Sequence, residues 1–461
     1  MKAAFSRSSD VFAWLARFIA EDHGQNQKSY QLARFQTLTR LAGYPERGRD
    51  AVHIAGSKGK GSVTGMITAM LEASGQDAAR YTSPHVSSYQ ERITRGNRFF
   101  DEQIYTDTGN ELRELIDSLL RPGTAAYAAW RAAEGGGETP GFFELLTLYF
   151  FMTARRAACS VMVVETGIGG RLDSTNVIDP LVSVITEIEL EHTDILGTSI
   201  EAIASEKAGI IKPGRPVVLM EQEEAALRVF RHTAAEKQSS LIYFPEHAEA
   251  RNIAAGKDGS TFTLAFKNSR FFSAPLDITL RIPGEVQIKN AGLAVLAAKT
   301  AYPELRPDAA ARGLAAFSLP ARFERIQDAP PVIIDGAHTP VSIKYCAGTF
   351  TDLYGKGGIL IFGCAARKDA RNMAEILAGE FSKIVITTPG GFRSSEPEQV
   401  YGIFREILSA RNLRSRTELV FIRDTGEAIA RMLAWGRETG LPALSAGSFY
   451  LAAEIRNTVI C

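Results

Sequence analysis

His53–Ser62 reads HIAGSKGKGS, and Ala51 and Val52 precede it. The run Ala51–Ala55 (AVHIA) is short and apolar, and it feeds a turn with glycines at 56, 59 and 61. Val63, Met66, Ile67, Met70 and Leu71 then recur at the spacing of one helical face. Strand, glycine-rich loop and helix in that order make a cradle for phosphate. Glycines let backbone N–H groups close on an anion, and a helix N-terminus favours negative charge. Gly56, Ser57, Lys58, Gly59, Lys60, Gly61 and Ser62 are therefore candidate nucleotide-binding residues, with Lys60 placed to reach the outer phosphates and Ser62 to offer a hydroxyl toward magnesium. The generic pattern wants a glycine six residues before the lysine, where Ile54 stands, and Gly61 separates Lys60 from Ser62. A glycine-rich turn with two solvated lysines is the plainer alternative.

Outward from this loop the alternation continues. Val161–Val164, Leu181–Thr186 and Val217–Met220 are continuous apolar runs, as parallel strands buried on both faces require. Residues 240–285 differ. Thr261–Phe266 (TFTLAF) and Ile278–Ile282 (ITLRI) are β-branched and aromatic, which predicts an antiparallel patch on the first domain. Helical patterns follow at Asn290–Ala301 and up to Pro320. Val332–Ile334, Ile359–Phe362, Lys383–Thr387 and Glu418–Ile422 restart the alternation, each with a helical segment behind it. The expected fold is α/β: a P-loop-type, mostly parallel sheet over 1–318 and a smaller Rossmann-like α/β domain over 319–461.

Across 461 residues, 52 Lys and Arg balance 52 Asp and Glu. A nucleic-acid partner held by electrostatics would show a basic excess, so none is expected; a locally basic anion site is still open. Cys159, Cys346, Cys364 and Cys461 form no CxxC pair, which points to reduced thiols rather than a zinc site or disulfide framework. The opening residues, MKAAFSRSSDVFAWLARFIAEDHG, hold only short apolar runs broken by Arg17 and Glu21, not a signal-peptide core. No run approaches the roughly 20 apolar residues of a membrane span. A cytoplasmic protein with no membrane partner follows.

Several polar residues fall just after strand-like runs, where ligands gather in open parallel sheets. Glu165 ends VMVV, directly before TGIGGRLDSTN. A carboxylate there suits magnesium, which takes oxygen ligands and few protein groups; a polar strand terminus is the ordinary alternative. His192, in ELEHTDILG, follows another strand, although a lone His is more often structural than a ligand. Ser83 and His85 lie in YTSPHV, where Pro84 sets a loop and the hydroxyl can approach the same metal. Lys207, in SEKAGIIKPG, reads as helical and, on its own, solvated. Asp335 and His338, in VIIDGAHTP, follow the first strand of the second domain. Two strand-end sites on two domains point to a ligand bound across the cleft between them.

In order, HIAGSKGKGS, YTSPHVSSYQERI, GFFELLT, VVETGIGGRLDSTN, EHTDILG, SEKAGIIKPG, PARFE, VIIDGAHTP and GSFYLAAEIR resemble folylpolyglutamate synthase/dihydrofolate synthase, a branch of the Mur ligase superfamily. The resemblance runs from about residue 30 to the carboxyl end. It implies a monomeric, ADP-forming ligase that uses ATP to add L-glutamate to a folate or pteroate carboxylate through an acyl phosphate. It also implies that the loop around Lys60 cradles ATP, and that Ser83, Glu165 and His192 hold magnesium. Two metal sites are implied, the second supported by a carbamylated Lys207. Asn290, Arg322 and Asp335 match nucleotide contacts, and His338 and Ser448 match the region that receives the amino acid. Catalytic roles fall to Lys60, Lys207 and His338. The residues themselves offer no defensible nucleophilic Ser/His/Asp or Cys/His set, which agrees with phosphoryl transfer, where positioning and charge neutralisation outweigh covalent help.

Five positions depart from the family pattern: Lys58 and Thr339 where Asn is usual, Val286 for His, Arg367 for an acidic residue and Ala321 for Gly. They leave open a Mur-type ligase joining another amino acid to a non-folate carboxylate. A nucleotide-binding protein without turnover is the remaining alternative, and Lys60, Glu165, His192 and Lys207 weigh against it.

Overall fold

The computed structural model describes residues 4–19, 32–133, 139–390 and 394–460. Glu21 and Cys461, named above, lie outside them. The strands are β1 (Asp50–Ala55), β2 (Ala78–Tyr81), β3 (Ile93–Arg95), β4 (Val161–Glu165), β5 (Val182–Ile185), β6 (Val217–Leu219) and β7 (Leu241–Tyr243). They form one seven-stranded sheet in the order β3-β2-β4-β1-β5-β6-β7, parallel except for the β2–β3 pair. The strand that feeds the glycine loop is thus central, between β4 and β5. Ile54 pairs with Glu165, so that carboxylate ends its strand level with the loop's start.

Alternate residues of β4 serve two cores, which explains its unbroken apolar sequence. Val161 and Val163 join the cluster containing Met66, Ile67 and Leu293; Met162 and Val164 join the one containing Leu145, Tyr149 and Phe150. The first of these clusters continues through Phe317 to Leu360 and Leu444 of the second large sheet.

The antiparallel sheet is β10 (Leu276–Leu280), β9 (Gly259–Phe266) and β8 (Ala248–Gly256). It lies inside the expected 240–285, but Leu241–Tyr243 extends the parallel sheet instead. The following helix begins at Glu285 rather than Asn290, which places Asn290 inside it and buried.

The third sheet runs β11-β12-β16-β13-β14-β15. Its members are β11 (Glu324–Asp328), β12 (Pro331–Ile334), β13 (Gly358–Phe362), β14 (Phe381–Ile386), β15 (Glu418–Phe421) and β16 (Ala443–Ala446). Only the β11–β12 pair is antiparallel. The sequence reading misses β16, whose ALSA carries little β propensity although it is fully buried between β12 and β13. Cys159, Cys346 and Cys364 are free and buried. Among the described residues no helix is long and apolar enough to cross a membrane.

Candidate active site

Lys60 opens the helix Lys60–Ala73, capped by Gly59 at φ +83°. The loop is tied down from the β5 side: the Ser57 and Lys58 N–H groups donate to Glu187 O at 2.8 and 3.3 Å, and Ser57 Oγ donates to Glu189 O at 3.1 Å. Lys60 Nζ folds back over its own loop and donates to Gly56 O at 2.8 Å. Two glycines are required by space as well as conformation. A Cβ on Gly56 (φ +149°) would stand 1.7 Å from Thr186 Oγ1, and one on Gly59 would stand 2.6 Å from Asn290 Oδ1. Asn290 therefore lies against the loop.

Glu165 is 3% exposed, and its Oε2 accepts the Ser83 N–H at 3.1 Å. The same oxygen lies 3.5 Å from where a Gly61 Cβ would be, so Glu165, Ser83 and the loop carrying Ser62 share one place. Burial pushes the Glu165 carboxyl up to about 7, against the pull of Lys60, the Ser83 N–H, Arg322 and Arg92. His192 adopts φ +46° at the start of the short helix Thr193–Leu196, and burial lowers its imidazole. Among the described residues no three His, Cys, Asp or Glu side chains converge as a metal set; the Ser83 N–H bond joins Ser83 to Glu165.

Lys207 is 1% exposed rather than solvated. It sits on the helix Ile200–Ala208, donates to Gly56 O at 2.8 Å and pairs with Glu191 Oε1 at 3.0 Å. Burial and the nearby Lys60 push its amine down to about 8. Burial works the other way on Glu191, yet Lys60, Lys207 and Lys58 hold that carboxyl at about 2.

The second cluster stands at the carboxyl ends of β12 and β16. Asp335 Oδ2 accepts the Phe323 N–H and Oδ1 accepts the Ala337 N–H, both at 2.7 Å, which staples the Arg322 loop to the strand end. Ala321, at φ +53°, holds a left-handed conformation that costs a non-glycine residue about 1 kcal/mol, so the usual glycine there has a conformational reason. The Arg322 guanidinium lies 4.2 Å from the centroid of the Phe449 ring, and the His338 ring is 5.8 Å from the same ring. His338 Nδ1 donates to Gly336 O at 2.8 Å, which leaves Nε2 as an acceptor; burial, then Lys368, push this imidazole down to about 4. Thr339 caps the helix Pro340–Tyr354 with its side chain, so this departure from Asn keeps the cap. Ser448 Oγ accepts the Tyr450 N–H at 3.1 Å.

The two clusters face each other. Arg322 acts on the Glu165 carboxyl, Lys58 acts on the His338 imidazole, and Val86 of the Ser83 loop packs on the core of the third sheet.

Residues 113–298 match the Mur ligase middle domain, and residues 321–448 match the Mur ligase, glutamate ligase domain. Folylpolyglutamate synthase of Lacticaseibacillus casei is 32% identical over 432 residues, 93% of this chain and 94% of that protein. The chain belongs to the folylpolyglutamate synthase/dihydrofolate synthase family of Mur ligases. Dihydrofolate synthase/folylpolyglutamate synthase of Bacillus subtilis is also 32% identical, over 81% of this chain and 83% of that protein. Mycobacterium tuberculosis folylpolyglutamate synthase complexed with ADP has a TM-score of 0.85 at 27% identity and covers 98% of both chains. An FPGS–AMPPCP–folate complex has a TM-score of 0.81 at 28% identity, over 99% of this chain and 100% of that one.

Within this folylpolyglutamate synthase-type cleft, three residues escape the sequence reading. Glu191 is one, hidden beside His192 in the same motif. Arg92 is the second. Its Nε donates to His85 Nδ1 at 2.8 Å, and its guanidinium carbon lies 5.8 Å from both the Tyr89 and Phe142 ring centroids. His85 is thereby fixed with its proton on Nε2, and burial, then Arg92, push it down to about 4. Asp173 is the third. It accepts the Gly167 and Ile168 N–H groups on Oδ2 and the Thr175 N–H and hydroxyl on Oδ1, which fixes the turn just beyond Glu165. Because Thr175 Oγ1 donates to Asp173, it accepts from His53 Nε2 at 2.8 Å, linking that turn to β1.

Gly56→Ala is expected to weaken ATP binding by about tenfold or more, because the loop must move off Thr186 to admit the methyl. Calorimetric titration with ATP checks this; an unchanged dissociation constant contradicts it.

Proposed function

We propose that the chain joins the amine of L-glutamate to a folate-type carboxylate, dihydropteroate or tetrahydrofolyl-glutamate, consuming ATP and releasing ADP and phosphate. The observation that carries this reading is the convergence of Lys60, Glu165 and the Lys207–Glu191 pair with Arg322 and His338 at one cleft. The names of the relatives, and the ADP, AMPPCP and folate in their structures, support it. We place the junction between the ATP-binding and glutamate-ligase parts near 318, between the two matched models, and read the enzyme as a cytoplasmic monomer.

A carboxylate is a poor electrophile. Its oxygen attacks the γ-phosphorus of ATP, the bond to the ADP oxygen breaks, and an acyl phosphate forms. The glutamate nitrogen then attacks the acyl carbon, phosphate leaves with its electron pair, and the nitrogen gives up a proton. Lys60 and Arg322 balance charge on the transferring group. His338, neutral and with Nε2 able to accept, is assigned to the incoming N–H. The cleft between the sheets keeps water from the acyl phosphate. Ser62, Ser83, Glu165 and His192 would hold magnesium, which supplies charge neutralisation at the phosphates. The fit rests on hard oxygen donors and on a buried carboxyl whose ionised form a cation would favour.

Lys207, with its amine near 8, is assigned as a carbamylated residue. The neutral amine adds to CO2, an N–C bond forms and one proton leaves. The product stands beside Glu191, so a cation between them is needed. Intact mass in bicarbonate buffer above pH 8 should be heavier by one CO2, and Lys207→Met should abolish the gain; equal masses contradict the assignment. For the reaction as a whole, ADP release is measured against a matrix of acceptors and amino acids. Release that needs a folate or pteroate together with glutamate is expected, and release only with a non-folate pair overturns the acceptor assignment.

A further inference from the structure

The hairpin β8–β9 turns on Lys257 and Asp258, between the paired Gly256 and Gly259. From Arg251 to Asp258 its residues are exposed, so no buried face of its own decides where the tip lies. The tip instead meets the part built on the third sheet. Arg325 of β11 donates from Nη2 to Asp258 Oδ1 at 2.7 Å and from Nη1 to Lys257 O at 3.2 Å. Its Nε lies 2.9 Å from Asp328 Oδ1. Lys257 Nζ in turn stands 5.1 Å from the centroid of the Tyr354 ring, at the end of the helix Pro340–Tyr354. The turn is braced from its own side as well: Gly259 holds φ +134°, and a Cβ there would stand 1.8 Å from Leu280 O, at the end of β10. The two elements that the tip grips both begin at the cleft. β11 starts at Glu324, just past Arg322, and the helix starts at Pro340, just past His338. The chain passes once between the two parts, through residues 317–323, and the core they share through Phe317 is apolar. Apolar packing has no direction of its own, whereas a guanidinium bonded twice to a turn has one.

We infer that the Lys257–Asp258 tip is a latch that sets the orientation of the third-sheet part on the phosphate-loop part, with Arg325 a positioning residue for Arg322 and His338. The latch acts on alignment rather than on folding. The Asp258 side chain is 89% exposed, and exposed ion pairs add little to stability. The orientation stands on this geometry; its consequence for turnover rests on the ligation reading given above.

Wild type, Asp258→Arg, Arg325→Asp and the double variant carrying both changes are assayed for ADP release. The same four proteins, with Cys461→Ser and with nitroxide labels at Arg228→Cys and Arg437→Cys, report the distance distribution between the two parts. Arg228 and Arg437 are exposed, one on each part, and Cys159, Cys346 and Cys364 are buried. Each single reversal is expected to lower kcat about fivefold and to broaden the distance distribution. The double variant again sets opposite charges face to face, and both readouts should return toward wild type. Affinity for inorganic tripolyphosphate, which seats on residues 56–62 alone, and the melting temperature should hold throughout. Unchanged distances in both single variants, or a double variant no better than the singles, overturn the latch. Altered distances with unchanged kcat overturn the positioning role. A wild type that releases no ADP fails the ligase reading, and the label distances then decide the latch by themselves.

Discussion

Lys60→Ala is expected to lower turnover by about 10³-fold with little change in melting temperature. The ammonium is the one charge carried by the first residue of the phosphate helix, where negative charge gathers during transfer. Its bonds in the protein are to backbone oxygens, Gly56 O at 2.8 Å and Ser57 O at 3.5 Å, rather than to a carboxylate. Gly56 O keeps a second donor in Lys207, at 2.8 Å, so truncation leaves no buried acceptor stranded there. The loss should therefore fall on chemistry and not on folding. Near-normal ADP release by a folded Lys60→Ala protein contradicts the role.

Glu165→Gln is expected to move activity and stability in opposite directions. The amide keeps an oxygen to accept the Ser83 N–H, but it removes the charge assigned to magnesium, and turnover should fall by about 10²-fold. Stability follows the carboxyl. Its folded value near 7 lies above the ordinary 4.5, so the unfolded chain loses the proton first. Stability is retained below about 4.5, declines as pH rises toward 7, and is lower by about 3 kcal/mol above it. The amide has no such cost. In a chelator the variant should melt higher than wild type at pH 8, and the gap should shrink at pH 5. A variant that melts lower at pH 8 contradicts the buried-carboxylate account.

What the sequence makes legible here is local. Ala51–Ala55, the three glycines and the helical repeat from Val63 are contiguous, and each reports its own backbone requirement. Ser83, Glu165 and His338 are readable because they follow strand-like runs and Arg322 because PARFE carries the family resemblance, and the third dimension brings them to one cleft. Lys207 is misread as solvated because its burial depends on Glu191 and Gly56 O, both delivered by β1 and the loop after β5. β16 is illegible because Ala443–Ala446 owes its strand to central placement between two neighbours, not to its own side chains. Asp335 is legible as a strand-end carboxylate, but its hydrogen bonds to Phe323 and Ala337 are set by a turn that no spacing rule announces. Arg92 falls in the same class: the short helix Tyr89–Arg92 returns it to His85.

The central claim is glutamate ligation to a folate-type carboxylate at this cleft. Its most direct test is the mass of the product formed from ATP, L-glutamate and either dihydropteroate or tetrahydrofolate. The account predicts an acceptor heavier by one or more glutamyl residues, formed with stoichiometric ADP and absent when any one substrate is omitted. An unchanged acceptor mass with both acceptors, in protein that binds ATP, contradicts it.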